Sequence, residues 1–152
     1  MVSVRGLRLP ELLLGLMAQG RWRHPGDEVL SRVVPWFEDP VDFFTSVEAM
    51  ERGNTSLEVF ADDEWSREFF REVRGSTREG PVELPWLDVE QAVLIAECRF
   101  AGADVALALD YRGDASDPRV LGSDLWTDPR RCEWRVIAPT FSAFVRELGL
   151  DG

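Results

Sequence analysis

Two neighbouring stretches of the chain alternate large and small or polar residues on a period of two, which is typical of β-strands. They span residues 93–100 and 105–112, with a short segment around Gly102 between them. In the second stretch two alanines point to one side, and the larger residues on the other side are Val105, Leu107, Leu109 and Tyr111. We predict an antiparallel hairpin with Leu107 and Leu109 in the core and an alanine face that lets a helix approach closely.

Apolar residues at helical spacing predict a helix near the start of the chain. Pro10 suits its first turn and Gly20 suits a left-handed cap at its end. The apolar positions are Leu9, Leu12, Leu13, Leu16 and Met17. Arg5 and Arg8 in front of this run also imitate a signal peptide, but Glu11 and the helical spacing favour a core helix.

A second helix is predicted close to the other end of the chain. Thr140 is its expected N-cap and Gly149 its expected end. Its inward side chains would be Phe141, Phe144, Val145 and Leu148. Before this helix, Val120 and Leu121 predict a third strand.

The middle of the chain gives shorter patterns. Two prolines make residues 21–38 an expected irregular connection, and Asp39 followed by Pro40 predicts a helix start. The inward residues of that helix would be Phe43, Phe44, Val47 and Met50. Further along, the pattern predicts the helix end at Gly53, a short strand over residues 56–60 and another helix capped by Asp62 or Asp63.

Composition and charge fit one folded domain that avoids nucleic acid. Hydrophobic residues make up 45% of the 152 residues, and nine Phe and six Trp can fill a core. We therefore predict a single domain over residues 1–152. Asp and Glu number 28 against 17 basic residues, so the net charge is −11. This charge repels phosphate backbones and attracts a basic protein, although acidity that only maintains solubility is the alternative.

Two features of the sequence bear on the location of the protein. Cys98 and Cys132 stand far apart and form no Cys-x-x-Cys unit, which indicates two thiols in a reducing compartment. A disulfide between them stays open as an alternative. No segment reaches the roughly 20 apolar residues of a membrane span. We expect a cytoplasmic protein without membrane contact.

The chain offers little for catalysis. All 17 basic residues are Arg, so Lys-dependent mechanisms are absent, and His24 is the only histidine. It lies in a loop without a neighbouring partner for a triad or a metal site, so we expect an exposed loop histidine. Nucleophile-elbow, phosphate-loop and dinucleotide motifs are missing. We predict no enzyme activity, no catalytic residue, no metal and no cofactor; a small hydrolase that uses two carboxylates is the remote alternative.

An acidic segment is the candidate for partner binding. Residues 103–128 contain six Asp against two Arg, a net charge of −4, with Trp126 among them. An aromatic anchor among carboxylates suits a basic protein partner. The predicted partner-binding residues are Asp110, Asp114, Asp117, Asp124, Trp126 and Asp128. In the alternative interpretation Trp126 belongs to the core and the acids form a solvated loop.

Several short motifs, taken in order, resemble the SUKH superfamily, which contains the yeast Smi/Knr cell-wall regulators and many bacterial toxin-immunity proteins. They cover residues 9–20 and 84–148, a little over half of the chain. The motifs are the Leu-Pro helix start at Leu9-Pro10, Leu109-Asp110-Tyr111, Pro118-Arg119-Val120, Trp134, Ile137-Ala138 and Thr140-Phe141-Ser-Ala-Phe144. Residues 21–82 do not follow the family pattern, and Pro139 departs from it. These departures leave the subgroup, and hence the partner, open.

The resemblance implies an α+β fold in which helices flank a curved, mostly antiparallel sheet, as a single SUKH-like domain. It also implies a non-catalytic protein that binds and neutralises a co-encoded toxin, often a nuclease or other effector domain, by covering its active site. Such toxins are frequently basic, which agrees with the charge of −11. A housekeeping adaptor of the Smi/Knr type is the alternative, and the genes beside this one would separate the two. The oligomeric state stays open.

Overall fold

An antiparallel sheet of five strands in sequence order organises the protein. The structure is a computed structural model that describes residues 2–37, 40–62, 84, 87–99, 106–124 and 133–151. The sheet contains β3 (Val41–Phe43), β4 (Ala92–Cys98), β5 (Ala106–Asp110), β6 (Arg119–Asp124) and β7 (Glu133–Ala138), and β1 (Ser3–Val4) pairs with β2 (Leu7–Arg8) in a separate hairpin. The described helices are α1 (Glu11–Ala18), α2 (Asp27–Val33), α3 (Val47–Asp62) and α4 (Phe141–Leu148), with a 3₁₀ turn at Val89–Gln91. The predicted α+β class is confirmed.

The predicted hairpin is confirmed as the β4–β5 pair, although its turn lies outside the described residues. Leu94 lies opposite Ala108, whereas the next pair joins Ala96 to Leu107, so Ile95 is an extra residue in β4. Such a bulge resets the alternation of side chains along a strand. Ile95 and Ala96 accordingly both enter the main core. The third predicted strand is confirmed as β6, and β7 was not predicted.

The two faces of β5 divide the core as the alternation predicts. Leu107, Leu109 and Tyr111 belong to the main core, which also holds the buried residues of α1 and α4. Val105 lies outside the described residues. The alanine face belongs to a second cluster formed by Leu87, Ala92, Leu94, Ala106, Ala108, Leu121 and Trp134. No described member of this cluster lies on an α-helix, and the close approach of a helix to the alanine face stays a prediction. The small side chains share their layer with the Trp134 indole.

Both terminal helices end as the sequence predicts. Gly20 follows α1 with φ +67°, and Gly149 follows α4 with φ +73°. Both values lie in the left-handed region that glycine adopts without steric cost. At the start of α4 the Thr140 hydroxyl accepts a hydrogen bond from the Ala143 N–H at 3.1 Å, which confirms the predicted N-cap. Its four predicted inward residues are all buried.

The prediction of a helix from Asp39 was wrong. Val41–Phe43 is instead strand β3, with Val41 and Phe43 buried on either side of exposed Asp42. It pairs with β4 at the edge of the sheet. Buried and exposed side chains alternate along its three residues, as is typical of a strand with one face on the core. The helix starts later, at Val47, where the Ser46 hydroxyl accepts from the Ala49 N–H at 3.1 Å. Asp39 itself lies outside the described residues.

Helix α3 contradicts two other predictions made from the local sequence. It continues through Gly53, the predicted end, and through residues 56–60, the predicted strand. A Cβ atom at Gly53 would overlap the ring of Phe44, so this glycine permits close packing and does not stop the helix. The described part of the helix extends to Asp62, and the further helix predicted from Asp62 or Asp63 lies outside the described residues. The expected irregular connection 21–38 was also wrong in part, because it contains α2.

Asn54 closes the edge of β4 where β3 has ended. Its side-chain carbonyl accepts from the Leu94 N–H at 2.7 Å, and its amide donates to the Leu94 carbonyl at 2.9 Å. The same amide nitrogen donates to the Met50 carbonyl one turn back in α3. The carboxamide thus replaces a missing strand partner, and it ties α3 to the sheet at a position that is 1% exposed.

We expect Leu109→Ala to lower the free energy of unfolding by about 2–5 kcal/mol, because it leaves a cavity in the main core. Chemical denaturation measures the change. Leu12→Ala is the matched control, since Leu12 is 38% exposed and its truncation should cost much less. Equal destabilisation by the two substitutions would contradict the observed packing.

We expect Asn54→Ala to open the edge of β4 locally. Two buried backbone groups of Leu94 would lose their partners, at about 1–3 kcal/mol for each group left unsatisfied. Hydrogen exchange should show faster exchange of the Leu94 amide. The control is Thr55→Ala, which removes an exposed hydroxyl that donates to the Arg52 backbone carbonyl in the same helix. A Leu94 amide as protected as in the wild type would refute this role of Asn54.

Candidate functional site

The structure divides the predicted partner-binding aspartates into two kinds. Asp110 and Asp124 end strands β5 and β6 and are 1% and 2% exposed. Asp114 and Asp117 lie in the loop that joins these strands, where Asp114 is exposed and Asp117 is half-buried. Trp126 and Asp128 lie outside the described residues. The four described aspartates, although close in sequence, therefore do not form one continuous surface.

Asp110 is held by two arginines inside the fold. Arg112 Nε donates to one carboxylate oxygen at 2.8 Å, and Arg119 Nε donates to the other at 2.8 Å. The Arg112 backbone N–H adds a third bond at 3.1 Å. Burial raises the pKa of the Asp110 carboxyl. The hydrogen bonds from Arg112 and Arg119 lower the pKa by more than burial raises it, so the pKa lies below its ordinary value. The carboxylate is charged at neutral pH and is satisfied internally.

Asp124 has a similar internal role at the end of β6. Its carboxylate accepts from Arg135 Nε on β7 at 2.8 Å, and Arg135 is 40% exposed. Neither Asp124 nor Asp110 presents its carboxylate to a partner in this conformation. Their assignment as partner-binding residues is corrected accordingly: both stabilise strand ends through ion pairs. Burial is not visible in the sequence, so the sequence alone predicts a loop charge for both aspartates.

Asp117 and Asp114 instead organise the loop between β5 and β6. Asp117 accepts from the Ser142 N–H at 3.0 Å and from the Ser142 hydroxyl at 2.8 Å, which fixes the loop to the first turn of α4. Asp114 accepts from the Ser116 hydroxyl at 2.6 Å and from the Ser116 N–H at 2.9 Å. These bonds from Ser116 lower the pKa of the Asp114 carboxyl. Among the described residues, no basic side chain forms an ion pair with either aspartate.

A groove of about 360 Å³ lies between this loop and the start of α1. We call it the α1 groove. Its α1 side consists of Arg8, Leu9, Pro10, Glu11 and Leu12, and its loop side of Ala115, Ser116 and Asp117 together with Ser142 from the first turn of α4. Leu12 is 38% exposed, and Arg8 pairs with Glu11 at 3.2 Å across exposed side chains. The groove thus combines an apolar wall with carboxylates on both sides.

Tyr111 positions the two walls of the α1 groove relative to each other. It directly follows β5, and its hydroxyl donates to the Arg8 backbone carbonyl at 2.7 Å. Burial raises the pKa of this hydroxyl, so it stays a donor at any physiological pH. The sheet therefore holds the chain just before α1 at a fixed distance from the loop that carries Asp114 and Asp117.

The α1 side of the groove was not predicted as part of a site. Helical spacing placed Leu12 in the core with Leu13 and Leu16, but only the latter two are buried. Leu12 follows Glu11 at the exposed start of α1. Here the apolar stripe of the helix is wider than the part of the core against which the helix packs. The wide apolar stripe next to Glu11 is the feature of the sequence that could have indicated an exposed leucine. It does not indicate which leucine is exposed.

The remaining candidates for chemistry are few. His24 is more enclosed than expected for an exposed loop residue: its side chain is 25% exposed and its ring lies 5.6 Å from that of Phe43. Within the described ranges, no group of three or more His, Cys, Asp or Glu side chains could hold a metal ion. No helix in the described part of the chain is long and apolar enough to cross a membrane.

We expect Asp110→Asn to weaken the fold at neutral pH and not in acid. A folded-state pKa below the unfolded value of about 3.9 means that the carboxylate stabilises the fold above that value, and that this stabilisation is lost as the pH falls through the folded-state pKa. At neutral pH the cost should be about 2–3 kcal/mol, less than for a fully buried pair, because water screens the partly exposed Arg119.

Chemical denaturation of wild type and Asp110→Asn as a function of pH measures this effect. The difference between the two proteins should shrink below about pH 4. The control is Asp151→Asn, which alters an exposed carboxylate near the end of the chain and should leave stability unchanged throughout. A difference for Asp110→Asn that persists in acid would contradict the assignment of an ionised, arginine-bound carboxylate.

Comparison of the chain with protein-family models, with curated proteins and with solved structures finds no match. The resemblance to the SUKH superfamily therefore rests on the sequence motifs alone and stays a prediction.

Proposed function

We propose that this protein is a non-catalytic binding module, and that it is a bacterial immunity protein of the cytoplasm that neutralises a co-encoded toxin. The α1 groove is the observation that carries the proposal. It joins the exposed Leu12 to the carboxylate of Asp117, which no described arginine neutralises, and to that of Glu11, which pairs with Arg8. The toxin would be a basic domain, held by contact and not chemically altered.

The charges of the groove suit fast capture of a basic partner. Asp110 and Asp124 are paired within the fold and add little to the outer field. Asp114 and Asp117 lack such partners among the described residues, so they add to the field of a chain whose net charge is −11. Such a field raises the rate of encounter with a positive surface.

The apolar wall suits retention of the partner after encounter. The side chain of Leu12 is exposed, whereas those of Leu13 and Leu16 are buried in the core. Covering an exposed leucine removes apolar surface from water, which lowers the dissociation rate of a complex. Rim carboxylates and an apolar contact thus have separable kinetic effects.

We expect Glu11→Gln combined with Asp114→Asn to slow association with the basic toxin domain encoded beside the gene. The wild-type association rate should fall as salt is added, because ionic screening shortens the field to about 8 Å at physiological strength. Leu12→Ser should mainly raise the dissociation rate. Surface-based binding kinetics at several salt concentrations measures both effects, and survival on co-expression with the toxin gives a second readout.

The matched control is Asp27→Asn with Glu28→Gln, which removes two exposed charges from α2, a helix that contributes no residue to the groove. Its effect on association should be smaller than that of Glu11→Gln combined with Asp114→Asn. Equal slowing by both pairs would mean that the net charge alone acts. Absence of binding to every neighbour-encoded protein would refute the immunity function and favour an adaptor of the Smi/Knr type.

A further inference from the structure

The loop side of the α1 groove presents hydrogen-bond acceptors and almost no free donors. A serine hydroxyl has one hydrogen, and both serines of this wall use it: Ser116 donates to Asp114 and Ser142 donates to Asp117. The backbone N–H groups of the same two serines also donate to these carboxylates. The hydrogen-bonding capacity that these groups have left is that of oxygen lone pairs. A ligand here must bring donors.

The charge of this wall also requires a cation. Asp117 lines the groove and Asp114 lies three residues before it, and neither forms an ion pair with a described basic side chain. On the opposite wall Arg8 and Glu11 offset each other. The groove therefore carries a net negative charge that would repel a phosphate or carboxylate group.

The apolar wall and the size of the groove limit which groups can occupy it. Pro10 is buried and Leu12 is 38% exposed, so the α1 side offers a hydrophobic strip beside the acceptors. A volume of about 360 Å³ lies near the lower end of the range for small-ligand pockets, roughly 300–1,000 Å³. It suits one long side chain and not a helix. An alkyl stem against Leu12 with a cationic head against Asp117 satisfies both walls.

We propose that the α1 groove takes an arginine side chain from a basic segment of the partner, an inference that rests on the proposed binding function. Arginine fits better than lysine, because its planar guanidinium carries five donors in a fixed fork. The acceptors of Asp117 and the two serine oxygens, which line the same side of the groove, can then be satisfied together. A lysine ammonium is a compact point charge with three donors and would leave more of them unmet.

The test is a titration of the uniformly ¹⁵N-labelled protein, followed by NMR, with the peptide acetyl-Gly-Gly-Arg-Gly-Gly-amide. Matched peptides replace the arginine by lysine, by its neutral isostere citrulline or by glutamate. Saturable shifts are expected at the amides of Leu12, Ser116 and Ser142 with the arginine peptide. The citrulline peptide should bind about tenfold more weakly, because it lacks the charge that strengthens hydrogen bonds to carboxylates.

Two variants test the two walls in the same experiment. Leu12→Ser should weaken binding of the arginine peptide from the apolar side, and Ser116→Ala should weaken it from the acceptor side without touching α4. The spectrum of each variant shows directly that it is folded. Glu28→Gln, on α2, is the control and should bind as the wild type does.

Equal affinity for the arginine and citrulline peptides, preference for the glutamate peptide, or shifts spread over all exposed carboxylates would overturn the inference. A toxin that binds elsewhere while the peptide fails would overturn the inference and leave the proposed function standing. Saturable arginine binding in the groove, without any neighbour-encoded partner, would support the inference and count against the immunity function.

Discussion

The pairing of β5 with strands on both of its sides is the constraint on which the rest of the molecule depends. Every residue of β5, from Ala106 to Asp110, is buried. Its two faces supply both hydrophobic clusters, and its backbone is bonded to β4 and β6 along its length. A strand in this position leaves no freedom in register, because a shift by one residue would exchange leucines for alanines in both clusters.

The end of β5 transmits this constraint to the candidate site. Asp110 fixes Arg119 at the start of β6, and the loop between them has to turn within eight residues. Tyr111, next in the chain, holds the backbone of Arg8. Asp117 then binds the first turn of α4 through Ser142. The polar contacts of Asp110, Tyr111 and Asp117 thus fix the positions of the loop, the start of α1 and the start of α4 relative to one another. The α1 groove is the space between these segments.

The same side-chain type has opposite roles over this short distance. Asp110 and Asp124 stand beside arginines at the ends of strands, where an unpaired charge would be costly to bury, so their charge is used within the fold. Among the described residues, Asp114 and Asp117 accept hydrogen bonds from neutral donors, chiefly Ser116 and Ser142, and these bonds do not cancel the charge of the carboxylates. Their negative charge stays available to a partner. Pairing, more than the number of acids, distinguishes the carboxylates whose charge is used within the fold from those that no described arginine neutralises.

The sequence by itself determined the parts of the fold in which local pattern and burial agree. These are the β4–β5 hairpin with its two unlike faces, strand β6, helix α1, and helix α4 with its Thr140 cap and Gly149 end. Hydrophobic periodicity and cap chemistry act over a few residues, so they can be interpreted without knowing the neighbours. The acidity of the chain and the presence of carboxylates near Tyr111 were visible in the same way.

Only the tertiary structure decided what depends on contacts between distant segments. Val41–Phe43 became a strand because β4 offered an edge, and α3 passed through Gly53 because Phe44 packs against that glycine. Arginine partners made Asp110 and Asp124 internal, while Leu12 was left outside although it repeats at the same spacing as buried leucines. Local pattern specifies which residues can be buried; the space left by the rest of the chain decides which of them are.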